Sequence, residues 1–179
     1  MRYKKYMKNI KKDFTFLQNY LTDFSDLIKS NKHIISKLIQ VRNIFLKISK
    51  KKNKILIFGN GGSAADSQHM AAEYCATLDH HRPREGMPAI ALTTDTSLIT
   101  AWANDFGFEG VFQRQVETLG NSGDILIAYS TSGNSKNICM AAKAAKSKGM
   151  KVIAFAGNHK NMAIESLADI VFKSPAIQT

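Results

Sequence analysis

The chain contains 179 residues, of which 44% are hydrophobic and 22% are charged, a balance typical of a single globular domain with a sizeable core. No apolar run approaches the roughly 18 residues of a membrane span, and two cysteines are too few for a disulfide framework. The formal net charge is +11, but no arginine-rich recognition helix or stacking-aromatic motif accompanies it, so we expect neither a nucleic-acid partner nor a membrane.

The first 12 residues are basic, and no apolar signal-peptide core follows them, so we expect a cytoplasmic protein. Residues 8–50 are predicted to form two amphipathic helices separated by a polar break at 30–32. The first helix precedes the α/β core and has no evident sheet partner, so we predict that it forms an interface between subunits. The apolar residues of the two helices recur every three or four positions, at Phe14, Leu17, Leu21, Phe24 and Ile28 and at Ile35, Leu38, Val41, Phe45 and Ile48.

From Lys54 onward, short apolar runs alternate with helical patterns. Strands separated by helices form parallel βαβ units with right-handed crossovers, so the predicted fold class is α/β with a doubly wound, five-stranded parallel sheet. We assign residues 1–52 to N-terminal helices and 53–179 to this core, within one domain. The predicted strands are 54–58, 89–93, 124–129, 151–156 and 169–173, and the predicted helices are 63–78, 96–103, 109–119, 135–148 and 162–167, with a polar loop at 79–87 and a turn at 104–107.

The turn after the first predicted strand carries the strongest functional signal. Gly59, Gly61 and Gly62 allow the backbone to turn sharply and to approach a ligand closely. Ser63 then begins a helix whose free N–H groups can receive an anion or sugar hydroxyls. Gly59, Gly61 and Ala64 match a loose dinucleotide fingerprint, but the acidic residue of that motif would fall at 80–85, before the second strand, so the match is weak.

His69 and Glu73 lie four residues apart on the helix that follows this turn, and therefore share one helix face. Each could be an ordinary helix residue. Together they suit two of the ligands of a zinc ion, or Glu73 could act as a general base. The two roles compete, because a bound metal lowers the basicity of its carboxylate ligand. His80 and His81 lie in the polar loop together with Arg82 and Arg84. They could contact a substrate, but we expect them to be exposed.

A second polar loop follows the third strand. Ligands of open parallel sheets bind beyond the carboxyl ends of the strands, and this loop leads into a helix N-terminus. Four hydroxyls, backbone N–H groups and the helix dipole together suit a phosphate monoester, although an ordinary N-cap is the alternative. The hydroxyls belong to Ser130, Thr131, Ser132 and Ser135.

Asn104 and Asp105 follow the helix predicted at 96–103. They could simply end that helix, since Asn and Asp often occur in turns. A carboxylate beside an amide could also hold the vicinal hydroxyls of a polyol. The spacing alone leaves both interpretations open.

Four separated blocks, in this order, resemble the sugar isomerase (SIS) domain family, and within it the phosphoheptose isomerase family. They are Gly59–Ser63, His69-x-x-x-Glu73, Ala103–Phe108 and Ser130–Ser135. The resemblance runs from about Phe14 to the end of the chain and implies a flavodoxin-like fold. It also implies conversion of sedoheptulose 7-phosphate to D-glycero-D-manno-heptose 7-phosphate, for lipopolysaccharide or capsule, in a cytoplasmic homotetramer whose active sites are shared between subunits.

The resemblance further implies roles for individual residues. His69 and Glu73 would be zinc ligands, with Glu73 also the catalytic acid or base. The family continues beyond the position that matches Thr179 with a helix that supplies a Gln and a His as further zinc ligands, and Gln178 is not that Gln. We therefore expect the remaining ligands beyond Thr179. Substrate would be bound by Asn60, Gly61, Gly62, Ser63, Glu73, Asn104 and Asp105, and its phosphate by Ser130, Thr131, Ser132 and Ser135.

Two other functions compete with this one. A relative in the same superfamily is a binding protein that associates with the replication initiator DnaA; it keeps the histidine but lacks the carboxylate at the position of Glu73. The presence of Glu73 here favours the isomerase. An isomerase acting on another phosphosugar, such as arabinose 5-phosphate, is the third possibility, and only the resemblance at 104–108 favours heptose over it.

Overall fold

The computed structural model describes residues 2–30, 34–51 and 53–174. The chain divides into two compact units, Met1–Ile35 and Ser36–Thr179. The first unit is dominated by helix α1, Arg2–Ser30, which begins six residues earlier than the sequence predicted. The predicted boundary between residues 52 and 53 stays a prediction, and Gln178 and Thr179 lie outside the described residues.

The order of the remaining elements is the alternation that the sequence predicted. They are α2 (Ile34–Lys51), β1 (Ile55–Phe58), α3 (Gly62–Cys75), β2 (Ala89–Ala91), α4 (Thr96–Phe106), a 3-10 turn (Phe108–Gly110), α5 (Val111–Leu119), β3 (Ile125–Ser130), α6 (Lys136–Ser147), β4 (Lys151–Ala156), α7 (Ile164–Leu167) and β5 (Ile170–Lys173).

The five strands form one sheet in the order β2-β1-β3-β4-β5. Every pairing is parallel, with Ile55 opposite both Ala89 and Ile125. The predicted α/β class and five-stranded parallel sheet are therefore confirmed. Because the chain winds outward to β2 on one side of β1 and to β3 on the other, the strand order reverses between β1 and β3. A crevice opens at such a switch point, at the carboxyl ends of the strands.

Both faces of the sheet are covered, which explains the uninterrupted apolar run of β1. All four residues of β1 are fully buried, as expected for a central strand between two helical layers. One face packs against Val111, Val116 and Ile138 from α5 and α6. On the other face, aromatic rings stack across β3, β4 and β5, with centroids 5.2 Å apart for Tyr129 and Phe155 and 4.9 Å for Phe155 and Phe172.

The turn predicted at 104–107 is wrong for its first three residues. Asn104, Asp105 and Phe106 form the last turn of α4, and only Gly107, with φ 90°, ends that helix. The N–H of Gly107 donates to the carbonyl of Ala103 at 3.2 Å, and a glycine with positive φ is a common helix terminator. Asn and Asp are tolerated in a final helical turn, so the helix continues through them and ends at Gly107, two positions after Asp105.

Residue Ser130 also differs slightly from expectation, because it is the last residue of β3 rather than the first of the loop.

Within the described ranges, none of the helices has the combination of length and apolar character required to cross a membrane.

Candidate functional site

The two loops singled out by the sequence lie side by side at the switch point of the sheet. One follows β1 and the other follows β3, and these strands are paired. The side chains of Asn60 and Asn137 join the loops: the Asn60 amide donates to Asn137 Oδ1 at 3.1 Å, and the Asn137 amide donates to Asn60 Oδ1 at 2.9 Å. The structure therefore brings the glycine turn and the start of α6 together.

The glycine turn is tightly packed against the start of α3 at its first glycine and open to space at the two that follow. A Cβ atom on Gly59 would lie 2.6 Å from Ser63 Cβ, so a side chain there would displace the helix start. A Cβ on Gly61 or Gly62 would meet nothing within 4 Å. Gly61, at φ 58°, precedes α3 without a side-chain cap. The N–H groups of Ser63 and Ala64 donate instead to the carbonyls of Asn60 and Gly61, at 3.1 and 2.9 Å, so the backbone of the turn satisfies them.

The hydroxyl loop after β3 is bent tightly at Gly133. This residue has φ 66°, its N–H donates to the Ser130 carbonyl at 2.9 Å, and a Cβ atom there would lie 2.6 Å from the Met162 side chain. The backbone N–H of Asn134 donates to Ser132 Oγ at 3.2 Å. Ser130 Oγ lies 3.4 Å from Ser135 Oγ, so these side chains gather around one bend.

Neighbouring segments fix the outer side of this loop. The N–H of Gly157 donates to the Thr131 carbonyl at 2.9 Å, and the N–H of Ile164 donates to the Gly133 carbonyl at 3.0 Å. Asn134 Oδ1 accepts the N–H of Ala163 at 2.8 Å. Ser135 precedes α6 with no side-chain cap. A rigid, hydroxyl-rich loop at an uncapped helix N-terminus is suited to an anion.

Two ionisable groups near this loop are held in their neutral forms. Burial, reinforced by the neighbouring Tyr74 and Asp66, raises the pKa of Tyr129 to about 12. Burial also raises the pKa of the Cys139 thiol in the first turn of α6. A neutral phenol and a neutral thiol provide neither a base nor a nucleophile at neutral pH.

His69 and Glu73 lie one turn apart on α3, as their spacing predicted. His69 Nε2 is 3.8 Å from Glu73 Oε1, with the His69 side chain 79% exposed and the Glu73 side chain 30% exposed. A rise of 1.5 Å per residue places Glu73 about 15 Å along the helix axis from Ser63. The glycine turn and Glu73 could therefore contact different parts of one elongated ligand.

The His69–Glu73 pair fits two positions of a zinc coordination sphere, because an imidazole nitrogen and a carboxylate oxygen already face each other. Protein-bound zinc takes at least three protein ligands. Across residues 2–30, 34–51 and 53–174, no group of three or more His, Cys, Asp or Glu side chains could hold a metal ion. The described residues thus offer part of such a site.

Two residues to which the sequence analysis gave no structural role support the site. Asn137 is one, and its position in the first turn of α6 gave no signal of a partner in another loop. Arg84 is the other: its Nη2 donates to the carbonyl of Glu73 at 2.8 Å and its Nη1 to the carbonyl of Tyr74 at 3.0 Å. A basic side chain commonly satisfies free carbonyls at a helix C-terminus, and that preference could have indicated Arg84.

Asn104 and Asp105 are not brought to the two loops within one chain. Both are exposed at the end of α4, where the Asn104 amide donates to Asp105 Oδ1 at 2.8 Å. In the described part of the chain, neither side chain is hydrogen-bonded to the glycine turn or to the hydroxyl loop. His80 and His81 are exposed as expected, with their rings 3.9 Å apart.

Comparisons with known proteins place the chain in one family. The model of the SIS domain family matches residues 19–157. A phosphoheptose isomerase from Burkholderia pseudomallei is 39% identical over 171 residues, which are 94% of this chain and 85% of the relative.

Two solved structures are similar along nearly the whole chain. A phosphoheptose isomerase from Neisseria gonorrhoeae has a TM-score of 0.77 and 37% identity, with 92% of this chain and 88% of that one covered. A phosphoheptose isomerase from Francisella tularensis has a TM-score of 0.80 and 31% identity, with 94% and 87% covered.

Proposed function

The chain belongs to the phosphoheptose isomerase family of SIS domain proteins, and we propose that it converts sedoheptulose 7-phosphate to D-glycero-D-manno-heptose 7-phosphate. The observation that carries this proposal is the carboxylate of Glu73, on the helix that begins at the open glycine turn. A ketose–aldose isomerisation moves a proton between adjacent carbons, and a positioned carboxylate can carry that proton.

The hydroxyl loop would hold the phosphate. Ser130, Thr131, Ser132 and Ser135 surround a bend whose backbone is fixed from outside by Gly157 and Ile164. The free N–H groups at the start of α6 add donors and a favourable dipole for a dianion. Phosphate held far from the reacting carbons positions the sugar without taking part in the reaction.

The glycine turn would contact the sugar itself. Asn60, Gly61, Gly62 and Ser63 border the open space in which a Cβ atom would meet nothing. Asn104 and Asp105 would also bind substrate. Their exposure supports that role in a site shared with a second copy of the chain.

Glu73 would remove a proton from one carbon of the substrate and return it to the neighbouring carbon through an enediol. The 3.8 Å approach of His69 Nε2 to Glu73 Oε1 supports a shared role of the two groups at the reacting carbons. We propose that they also hold one zinc ion, together with the Gln and the His that the family resemblance implies. Zinc, when bound, would supply Lewis-acid polarisation of the sugar oxygen.

Helix α1 would form subunit contacts in a homotetramer. Six large apolar side chains on it are between 53% and 67% exposed, and exposed apolar surface of this size commonly marks an interaction site. They are Phe14, Phe16, Leu17, Tyr20, Leu21 and Phe24. The enzyme would act in the cytoplasm and provide heptose for lipopolysaccharide or capsule.

Turnover of sedoheptulose 7-phosphate by the full-length protein tests the proposal, with formation of the heptose 7-phosphate followed in the presence of zinc and after chelation. Turnover that requires zinc is the expected result. Turnover of arabinose 5-phosphate alone would reassign the substrate. An absence of turnover on both sugars, with zinc supplied, would refute the isomerase and favour the binding protein.

A further inference from the structure

The reciprocal hydrogen bonds between Asn60 and Asn137 lie at the centre of the proposed site. Asn137 is only 4% exposed, while Asn60 is partly exposed at the open turn. Their amide groups face each other with donor–acceptor distances of 2.9 and 3.1 Å. The two residues are 77 positions apart in the chain, so this contact exists only because β1 and β3 are neighbours.

The pairing fixes which groups Asn60 can offer to a ligand. A carboxamide has two N–H donors and one oxygen that accepts two hydrogen bonds. One N–H and one acceptor position of Asn60 are used by Asn137, so one N–H and one acceptor position remain for a ligand. A buried polar group left without a partner is costly, and this cost holds both amides in one orientation.

The pairing also connects two different parts of the proposed site. Asn137 belongs to the first turn of α6, the helix whose N-terminus follows the hydroxyl loop. Asn60 belongs to the turn that precedes α3. A displacement of one loop would therefore break both hydrogen bonds at once.

We propose that Asn137 is a positioning residue, which orients the Asn60 side chain toward the sugar and keeps the sugar-binding turn in register with the phosphate loop. This inference rests on the proposed function, because it assigns Asn60 to the sugar and the hydroxyl loop to the phosphate. Asn137 itself is buried behind Asn60 and acts through it.

A double-mutant cycle on the full-length protein tests this role. Asn60→Ala, Asn137→Ala and the double variant are compared by KM and kcat for sedoheptulose 7-phosphate and by its Kd from calorimetry. We expect Asn137→Ala to raise KM and Kd about tenfold and to change kcat less. The double variant should bind the substrate no more weakly than Asn60→Ala does, since the two single substitutions remove the same interaction. Asn43→Ala, an exposed asparagine on α2, is the matched control.

The Asn137→Asp variant distinguishes a positioning role from a purely structural one. A protonated carboxyl can donate to Asn60 Oδ1 and accept from its amide, whereas a carboxylate can only accept and also repels a phosphate. The increase in KM relative to the wild-type enzyme should therefore become smaller as the pH is lowered from about 8 to about 5.5.

The outcomes separate this inference from the function on which it rests. Three results would each overturn the positioning role. The effects of the two single variants on KM could multiply in the double variant, folded Asn137→Ala could show an unchanged KM, or the KM defect of Asn137→Asp could be independent of pH. Sugar binding without turnover by the unchanged protein would refute the isomerase, while the Kd cycle would still decide the role of Asn137. No sugar binding by the unchanged protein would overturn both.

Discussion

The ammonium group of Lys54 lies 2.6 Å from the carboxylate of Asp124, at the point where the two central strands begin. The same carboxylate accepts the backbone N–H of Lys54 at 2.9 Å and that of Asn121 at 2.8 Å. Burial opposes the charged form of Asp124, but these hydrogen bonds outweigh it and lower the pKa of the carboxyl group. The pair ties together β1 and β3, whose opposite ends carry the two loops of the site.

Asp124 should stabilise the fold in a pH-dependent way. Its pKa is lower in the folded state than the unfolded value of about 3.9. The stabilisation is therefore fully present above that value and is lost as the pH falls through the folded pKa. We expect Asp124→Asn to lower the free energy of unfolding by about 2–4 kcal/mol at pH 7, measured by urea denaturation. The deficit should shrink near pH 3.

The control for this change is Asp26→Asn, which removes an exposed ion pair with Lys29 on α1. Exposed pairs contribute little, so its effect should stay below about 0.5 kcal/mol. A deficit for Asp124→Asn that is equal at pH 7 and pH 3 would show that packing, and not the charge, is responsible.

Replacing Glu73 by Gln should abolish turnover and leave the fold intact. The amide keeps the size of the side chain but cannot accept a proton from carbon, and general-base catalysis typically contributes about 10²–10⁴-fold to the rate. The measurement is kcat for sedoheptulose 7-phosphate together with thermal unfolding. Glu85→Gln, an exposed glutamate in the loop after α3, should retain normal turnover. Residual activity near that of the unchanged enzyme would remove Glu73 from the base role.

Replacing Ser132 by Ala should weaken phosphate binding. Ser132 Oγ accepts the N–H of Asn134 and is exposed to a ligand, so its loss removes a donor to the phosphate and one constraint on the loop. We expect KM to rise by about tenfold, with a smaller change in kcat. Ser147→Ala, at the end of α6, removes a hydroxyl that only donates to the Lys143 carbonyl and should leave KM unchanged. Equal effects of the two variants would argue against a phosphate site at the loop.

Replacing Arg84 by Gln should loosen the end of α3 and disturb Glu73. The guanidinium donates to the carbonyls of Glu73 and Tyr74, and its loss should cost about 1 kcal/mol of stability because the contact is exposed. We expect kcat to fall more than KM rises, since the position of Glu73 matters for proton transfer.

Arg82→Gln provides the matched control for Arg84. Arg82 pairs with Asp79 at 2.7 Å within the same loop and is highly exposed, so its removal should change neither stability nor kcat appreciably. If both arginine variants behave alike, the contact of Arg84 with α3 has no catalytic consequence.

Replacing Leu21 by Glu should dissociate the proposed homotetramer. Leu21 is 66% exposed on α1, and a buried unpaired carboxylate at a subunit contact would be strongly unfavourable. Light scattering after gel filtration should report a smaller assembly than for the unchanged protein. Thr22→Glu adds the same charge to an exposed position of α1 outside the apolar stripe and should leave the mass unaltered. A tetramer that survives Leu21→Glu would place the subunit contacts elsewhere.

Much of the fold could be predicted because it depends on local patterns. The apolar run at Ile55–Phe58 and the glycines after it required a strand and a turn, whatever lay elsewhere in the chain. The alternation of strands with helices then required parallel pairing, since a helical crossover returns the chain in the same direction. The loops at Gly59–Ser63 and Ser130–Ser135 follow from the same local signals.

The contacts that complete the site could not be predicted in this way. Asn60 meets Asn137, and Lys54 meets Asp124, only because the sheet order places β1 beside β3. Nothing in the sequence near either residue encodes its partner, about 70 positions away.

The sequence alone determined the α/β class, the loops at the carboxyl ends of β1 and β3 and the shared helix face of His69 and Glu73, because each depends on backbone preference or periodicity within a few residues. The tertiary structure decided that Asn104 and Asp105 lie exposed in the last turn of α4, that Arg84 caps α3, and that Asn137 pairs with Asn60. These depend on which elements become neighbours, and that is fixed by burial of the whole core rather than by any local stretch.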